Sequence, residues 1–335
     1  MSASKPKIAV IGTGGTITSL SGIGPLDLVE YTSSGRMLQA DEMVARYPEV
    51  GAVADVIPIR FKAVPSTAIA FPEWKALVIA TEKAVAEHPD LAGIVILHGT
   101  ATLEETAYAL NLCAKVSVPI VLVGAQRPAS ALSGDAGLNL VNAVRVAGHP
   151  ASRGLGVLVC LNDEIQAARD VSKTSTARLQ TFRSPDFGVL GHADGDAIAY
   201  YRQPMRRRAP DTEFDIRSLD ALPRVDIALS YAGDDGTAIR AFVKAGAKGI
   251  VLAAFAPGLV SPPELEAGKE AVAAGVIVVA SSRAGSGRAF HPARSRDAGF
   301  LAADNLTPQK ARILLSLALT RTRETAEIAR MFATY

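Results

Sequence analysis

The chain of 335 residues is long enough for two domains with substantial hydrophobic cores. Its content of 49% hydrophobic and 20% charged residues is ordinary for a globular protein. The formal net charge of +2 argues against a nucleic-acid or acidic membrane partner, and no stretch is apolar enough to span a bilayer without charges or turns.

The cysteines and histidines predict neither a disulfide nor a metal centre. Cys113 and Cys160 each lie in an apolar run, which favours small core residues over a nucleophile. The five histidines have no metal-ligand spacing, so no metal and no cofactor is expected. The N-terminal residues lead into a strand without the apolar region of a signal peptide, which predicts a cytoplasmic protein.

Short apolar segments alternate with amphipathic helical segments along the first part of the chain. The pattern predicts strands at 7–11, 93–97, 118–123 and 156–161, and helices at 72–87, 103–114 and 136–147. This alternation is typical of an α/β domain whose mainly parallel sheet is covered by helices on both faces.

A segment rich in prolines and charges interrupts the alternation and predicts the domain organisation. We expect a larger N-terminal α/β domain over residues 1–203, a linker over 204–224 and a smaller C-terminal α/β domain over 225–335. In the smaller domain the pattern predicts strands at 225–230, 249–254 and 276–280, and helices at 237–245, 263–274 and 308–319.

The most informative motif spans residues 96–106 and reads ILHGTATLEET. A predicted strand ends here, His98-Gly99-Thr100 turns the chain, and a helix begins a few residues later. A threonine hydroxyl at such a turn lies where backbone N–H groups converge, an arrangement suited to activating an amide carbonyl.

A second glycine-rich turn, Thr13-Gly14-Gly15-Thr16-Ile17, follows the first predicted strand. It begins like a dinucleotide-binding loop, but Ile17 occupies the place of the third glycine, which excludes that interpretation. The glycines allow a sharp bend and a close approach of the backbone to a ligand.

These two motifs, with three others in matching order, resemble the bacterial L-asparaginase family. The others are GAQR with SGDAGLNL, RDVSKT and NLTPQKAR, at residues 124–127 with 133–140, 169–174 and 305–312. The resemblance implies an asparaginase-like two-domain fold and a hydrolase that acts on the C–N bond of a small-molecule amide. It also implies a homotetramer, a dimer of dimers whose active sites form across an intimate dimer.

The resemblance assigns catalytic roles to four residues. Thr16 matches the nucleophile that attacks the amide carbon, although the turn alone would also suit a helix cap. Tyr31 lies in a Ser- and Gly-rich loop, residues 19–35, that closes over substrate, and its phenol relays a proton or stabilises the attacking oxygen. Lys173 matches the lysine that pairs with Thr100.

The resemblance also implies a substrate-binding set, in which this chain departs from the family. Ser66 matches the serine that binds the substrate carboxylate, and Thr67 is its polar neighbour. Gly15 and Gly99 provide the turns that hold the substrate. Ala101 replaces the usual aspartate, which binds the substrate α-ammonium and contacts the lysine.

The Ala101 replacement leads to a hypothesis about Lys173. An aspartate beside the lysine raises the lysine pKa, so its absence predicts a lower pKa here than in ordinary members of the family. The asparagine and the glutamate that the smaller domain usually supplies are also absent, so an α-ammonium has little to bind.

Three functional hypotheses remain open. The first is an amidohydrolase that cleaves a carboxamide, lactam or imide in a substrate without an α-amino group. The second is an L-asparaginase that tolerates Ala101. The third is a non-catalytic relative that binds a small metabolite, which the retained Thr16, Tyr31, Thr100 and Lys173 argue against.

Overall fold

The computed structural model describes residues 4–335, so the first three residues, on which the location prediction partly rests, lie outside it. The described residues form two compact units, one ending at Glu213 and the other spanning Phe214–Tyr335. The boundary falls within the segment rich in prolines and charges.

The strands within residues 4–213 are β1 Lys7–Gly12, β2 Ser19–Leu20, β3 Arg36–Met37, β4 Asp55–Arg60, β5 Leu91–Leu97, β6 Ile120–Val123, β7 Val157–Leu161, β8 Glu164–Ala167, β9 Ser172–Lys173, β10 Phe182–Arg183, β11 Gly191–Ala193 and β12 Ile198–Tyr200. Eight of them form one sheet with the order β12-β11-β8-β7-β6-β5-β1-β4. Strands β7, β6, β5, β1 and β4 run parallel, and β8, β11 and β12 extend the sheet antiparallel. The central strands are continuous apolar runs because helices cover both of their faces.

Helices connect many of the strands of the first unit. They are α1 Tyr31–Ser34, α2 Ala40–Arg46, α3 Val50–Val53, α4 Phe71–Glu87, α5 Leu103–Cys113 and α6 Ala136–Gly148. Pro72 lies in the first turn of α4, and the Glu73 carboxylate accepts from the Ala70 N–H at 3.2 Å, so the sequence itself marks where this helix begins. Among residues 4–335 no helix is both long and apolar enough to cross a membrane.

The second unit is a smaller parallel sheet of four strands between helices. Its strands are β13 Val225–Leu229, β14 Gly249–Ala254, β15 Ile277–Ser282 and β16 Leu301–Ala302, and its helices are α7 Thr237–Lys244, α8 Pro262–Ala273, α9 Ala293–Asp297, α10 Pro308–Ala318 and α11 Thr325–Thr334. A capping box starts α8: Ser261 Oγ accepts from the Glu264 N–H at 3.2 Å, and the Glu264 carboxylate accepts from the Ser261 N–H at 2.9 Å.

The predicted two-domain α/β fold is confirmed, and Cys113 and Cys160 are buried, as expected of core residues. Strand β4 was not predicted from the sequence, because this edge strand is only partly buried and contains Pro58, which weakens a strand pattern. The antiparallel extension was not predicted either, because its strands β11 and β12 have only three residues each.

Gly93 gives a test of the packing between the sheet and α6. A Cβ at Gly93 would lie 2.2 Å from the Ala147 carbonyl oxygen, so Gly93→Ala must push β5 and α6 apart. We expect the free energy of unfolding to fall by about 2–3 kcal/mol, measured by urea denaturation. Gly51→Ala is the control, because a Cβ there meets nothing within 4 Å. Equal stability of the two variants would contradict the packing.

Candidate active site

The site begins where two glycine turns touch at one edge of the large sheet. Strands β1 and β5 are parallel neighbours, with Gly12 beside Leu97 at their ends. Beyond these ends, a Cβ on Gly15 would lie 2.2 Å from the Gly99 Cα, so the two backbones are in direct contact. Gly15 also has a φ of 86°, which side chains rarely adopt. Thr16 and Thr100 therefore follow two turns that meet, at the edge where open parallel sheets bind ligands.

Thr16 is paired with a tyrosine hydroxyl. The Thr16 Oγ1 lies 2.9 Å from the Tyr31 hydroxyl oxygen, and either group can donate. Thr16 opens a short 3-10 helix, Thr16–Thr18, that Gly15 precedes. Its side chain is therefore not a helix cap. Both residues are half-buried.

The segment around Tyr31 is more ordered than a simple loop. Strand β2 pairs antiparallel with β3, and between them Tyr31 begins the short helix α1. Residues 19–35, predicted as a loop, therefore form an excursion of the chain away from the large sheet. Strands β2 and β3 lie at the two ends of this excursion and are hydrogen-bonded to each other.

Thr100 is paired with a lysine that comes from a different part of the chain. The Lys173 ammonium donates to Thr100 Oγ1 at 2.7 Å and to Gln126 Oε1 at 3.2 Å. Lys173 ends β9, and its Nζ lies 6.0 Å from the centre of the Phe182 ring in β10. Thr100 itself is buried.

Two opposing effects set the pKa of Lys173. Burial lowers the pKa, and the negative charge of Glu104 partly offsets this by raising it. Glu104 is buried on the first turn of α5, three residues after Ala101. The lower Lys173 pKa predicted from the missing aspartate is therefore partly offset here, because Glu104 provides a negative charge that raises the pKa.

Two of the predicted substrate-binding residues, Ser66 and Thr67, lie on a segment that faces these turns, and the others belong to the turns themselves. Thr102 Oγ1 donates to the Ser66 carbonyl at 2.7 Å, which ties the segment after β5 to the short 3-10 helix Ser66–Ala68. A Cβ on Gly99 would lie 2.7 Å from Ser66 Oγ. Thr67 and Ala101 are exposed, whereas Ser66 is buried.

Gln126 and Glu104 are two polar residues near Lys173 that were not predicted as site residues. Each belongs to a motif that was recognised, and Gln126 follows β6, the strand beside β5. Adjacent parallel strands bring their following turns together, and this signal could have found Gln126. Nothing in the local sequence shows that Glu104 faces Lys173. Among residues 4–335, no cluster of His, Cys, Asp and Glu could hold a metal ion.

Comparison with known proteins identifies the class. Residues 7–206 match the N-terminal asparaginase family model, and residues 224–332 match the glutaminase/asparaginase C-terminal domain model. The chain is a hydrolase acting on amide C–N bonds. It belongs to the asparaginase/glutaminase family.

Relatives match along nearly the whole chain. The chain is 39% identical over 332 residues to a "Probable L-asparaginase periplasmic" of Haemophilus influenzae, covering 98% of this chain and 93% of the relative. It is 39% identical over 333 residues to a glutaminase-asparaginase of Pseudomonas fluorescens, covering 98% and 90%. A solved structure of a "Probable Cytoplasmic L-asparaginase" from Campylobacter jejuni superposes with a TM-score of 0.93 at 36% identity, covering 99% of this chain and 100% of that one.

Glu104→Gln tests the effect of this carboxylate on Lys173. Loss of the negative charge should lower the Lys173 pKa further, so deprotonation of the lysine is complete at a lower pH. The rising limb of the pH–rate profile that follows this deprotonation should therefore move to lower pH. Glu105→Gln, on the next position of α5, is the matched control and should leave the limb in place. An unchanged limb in Glu104→Gln would contradict the assignment.

Proposed function

We propose that this protein hydrolyses a carboxamide, or a lactam or imide, through a threonine ester, and that its substrate lacks an α-amino group. The observation that carries the proposal is the pair of contacts at the Gly15–Gly99 junction. Thr16 bonds Tyr31 at 2.9 Å, and Thr100 bonds Lys173 at 2.7 Å. Two activated hydroxyls beside one another suit a two-step acyl transfer.

In the first step Thr16 Oγ1 attacks the amide carbon, and its proton passes to the Tyr31 oxygen as the phenol proton moves on to the departing nitrogen. The C–N bond breaks, the amine or ammonia leaves, and an ester of Thr16 remains. Backbone N–H groups of the two glycine turns are suited to stabilise the developing oxyanion.

In the second step water attacks the ester carbon. Thr100 takes the water proton as its own hydroxyl proton passes to the neutral Lys173 amine, and the C–O bond to Thr16 breaks. The Thr16 oxygen takes a proton from the Tyr31 hydroxyl as the carboxylic product leaves, and proton exchange with solvent restores Tyr31 and neutral Lys173. Burial of Lys173 favours its neutral form, the form that can accept a proton.

The side chains around the junction support a substrate without an α-ammonium. Ala101, Ala68 and Thr67 are exposed beside the turn of Thr100 and the 3-10 helix of Ser66, and none of them carries a charge. A desolvated ammonium without an anionic partner costs several kcal/mol. Glu104 is buried on the helix beyond, and its charge acts on Lys173.

L-asparagine hydrolysis is the second candidate, and the names of the relatives favour it. The third hypothesis, a non-catalytic binder, does not explain why both threonine hydroxyls are paired with groups that can move protons. The homotetramer and the cytoplasmic location stay predictions.

Thr16→Ala should abolish turnover. Removal of the nucleophile should lower kcat by about a thousandfold or more, and Thr100→Ala should cause a comparable loss. Thr32→Ala, an exposed threonine next to Tyr31, is the control and should keep full activity. Ammonia release measures all three, and circular dichroism checks the fold. A Thr16→Ala protein with wild-type turnover would rule out the mechanism.

Ala101→Asp separates the first two hypotheses. The wild type should hydrolyse succinic monoamide better than asparagine by roughly a hundredfold in kcat/KM, because it lacks the charge that would bind the α-ammonium. Ala101→Asp should shift the preference toward asparagine and also raise the Lys173 pKa. The measurement is kcat/KM for two amides and two proteins. If the wild type prefers asparagine, the second hypothesis is correct.

A further inference from the structure

We propose that Asp27 is a positioning residue that holds Tyr31 against Thr16. This inference rests on the proposed role of Tyr31 in the reaction. The Asp27 side chain lies four residues before Tyr31 and organises the excursion between β2 and β3 through hydrogen bonds at both of its carboxylate oxygens.

One carboxylate oxygen fixes the approach to helix α1. Asp27 Oδ1 accepts from the Val29 N–H at 3.0 Å and from the Glu30 N–H at 2.7 Å. Glu30 immediately precedes α1, whose first residue is Tyr31. The Glu30 carbonyl then accepts from the Ser33 and Ser34 N–H groups at 3.0 and 2.9 Å. Asp27 therefore fixes the backbone immediately before Tyr31 and, with it, the direction in which the Tyr31 side chain projects.

The other oxygen connects this turn to the rest of the unit. Asp27 Oδ2 accepts from Ser21 Oγ at 2.6 Å. The Ser21 N–H donates in turn to Ser130 Oγ at 2.9 Å. A continuous series of hydrogen bonds thus runs from Ser130 through Ser21 and Asp27 to the residues before Tyr31.

Burial does not hold this excursion in place. Ile23, Leu26 and Val29 are 68%, 80% and 76% exposed, so their side chains contribute little packing. Without a hydrophobic anchor, the excursion depends on its polar contacts for order. The Ser21 hydroxyl, followed by the Val29 and Glu30 amides, lowers the Asp27 pKa, which keeps the carboxylate ionised at neutral pH.

The Asp27 carboxylate is a charged acceptor for two backbone N–H groups and for the hydroxyls of Ser21 and, at 3.5 Å, Ser34, and bonds to a charged acceptor are strong. Loss of these bonds should let the Tyr31 hydroxyl move away from Thr16 Oγ1 while the large sheet stays intact. The cost should appear in kcat rather than in KM, because Tyr31 is proposed to act on the attacking oxygen and not to bind the substrate.

The test compares Asp27→Ala and Asp27→Asn in the full-length protein, with whichever of succinic monoamide and asparagine is turned over faster. Asp27→Ala should lower kcat on the order of tenfold with little change in KM. Asp27→Asn keeps an oxygen that can accept the two N–H bonds, so it should recover most of the activity. Ser33→Ala removes a neighbouring side-chain contact to Glu30 and is the matched control, expected to match the wild type.

A double-mutant cycle with Tyr31→Phe distinguishes positioning from a general structural role. If Asp27 acts through the Tyr31 hydroxyl, Asp27→Ala should cost less than about twofold when Tyr31 is already phenylalanine. The same tenfold loss in both backgrounds would overturn the proposal. An unimpaired Tyr31→Phe protein would instead contradict the proposed role of Tyr31 itself.

Hydrogen–deuterium exchange followed by mass spectrometry provides a readout that needs no substrate. Exchange across residues 21–34 should rise in Asp27→Ala and stay near the wild-type level in Asp27→Asn and Ser33→Ala. Unchanged exchange in Asp27→Ala would show that the carboxylate does not order the excursion, and this would also overturn the proposal.

Discussion

The contact between the Gly15 and Gly99 backbones is the constraint on which the rest of the site depends. A side chain at Gly15 would overlap the Gly99 backbone, so the turns after β1 and β5 can meet only if both are glycine-based. The hydrogen bonds from the Thr13 N–H and hydroxyl to the Leu97 carbonyl, at 3.0 and 2.8 Å, hold the strands together up to this point. A threonine follows each turn, and Thr16 and Thr100 have different hydrogen-bond partners. The parallel sheet thereby brings two motifs that are distant in sequence into one site.

The two partners come from segments that the sheet does not contain. Tyr31 arrives from the hydrogen-bonded excursion between β2 and β3, and Lys173 arrives from the small β9–β10 ribbon, 73 residues beyond Thr100. Two opposing effects determine the pKa of Lys173, since burial favours the neutral amine and the Glu104 charge favours the ammonium. Ala101 lies on the exposed side of the turn that contains Thr100. In the proposed mechanism, this separation keeps an anion near Lys173 and offers none to a substrate ammonium.

Much of the fold could be predicted from the sequence because buried parallel strands such as β5 and β6 are uninterrupted apolar runs with clear helices between them. Edge strands could not, since β4 is only partly buried and β12 is very short. The residues proposed for catalysis were found through motif spacing. The contributions of Glu104 and Asp27 were not, because a carboxylate that acts on Lys173 or orders the backbone before Tyr31 is visible only when distant segments are brought together.

The central claim is that the pocket binds the acyl part of its substrate without an anion for an α-ammonium. Isothermal titration calorimetry of the wild-type protein with succinate and with L-aspartate, the two corresponding hydrolysis products, tests this claim without turnover. The account predicts that succinate binds more tightly, by roughly a hundredfold in Kd, because aspartate must bury an ammonium that finds no charged partner. Tighter binding of L-aspartate would contradict the account and would indicate an ammonium site of the ordinary asparaginase type.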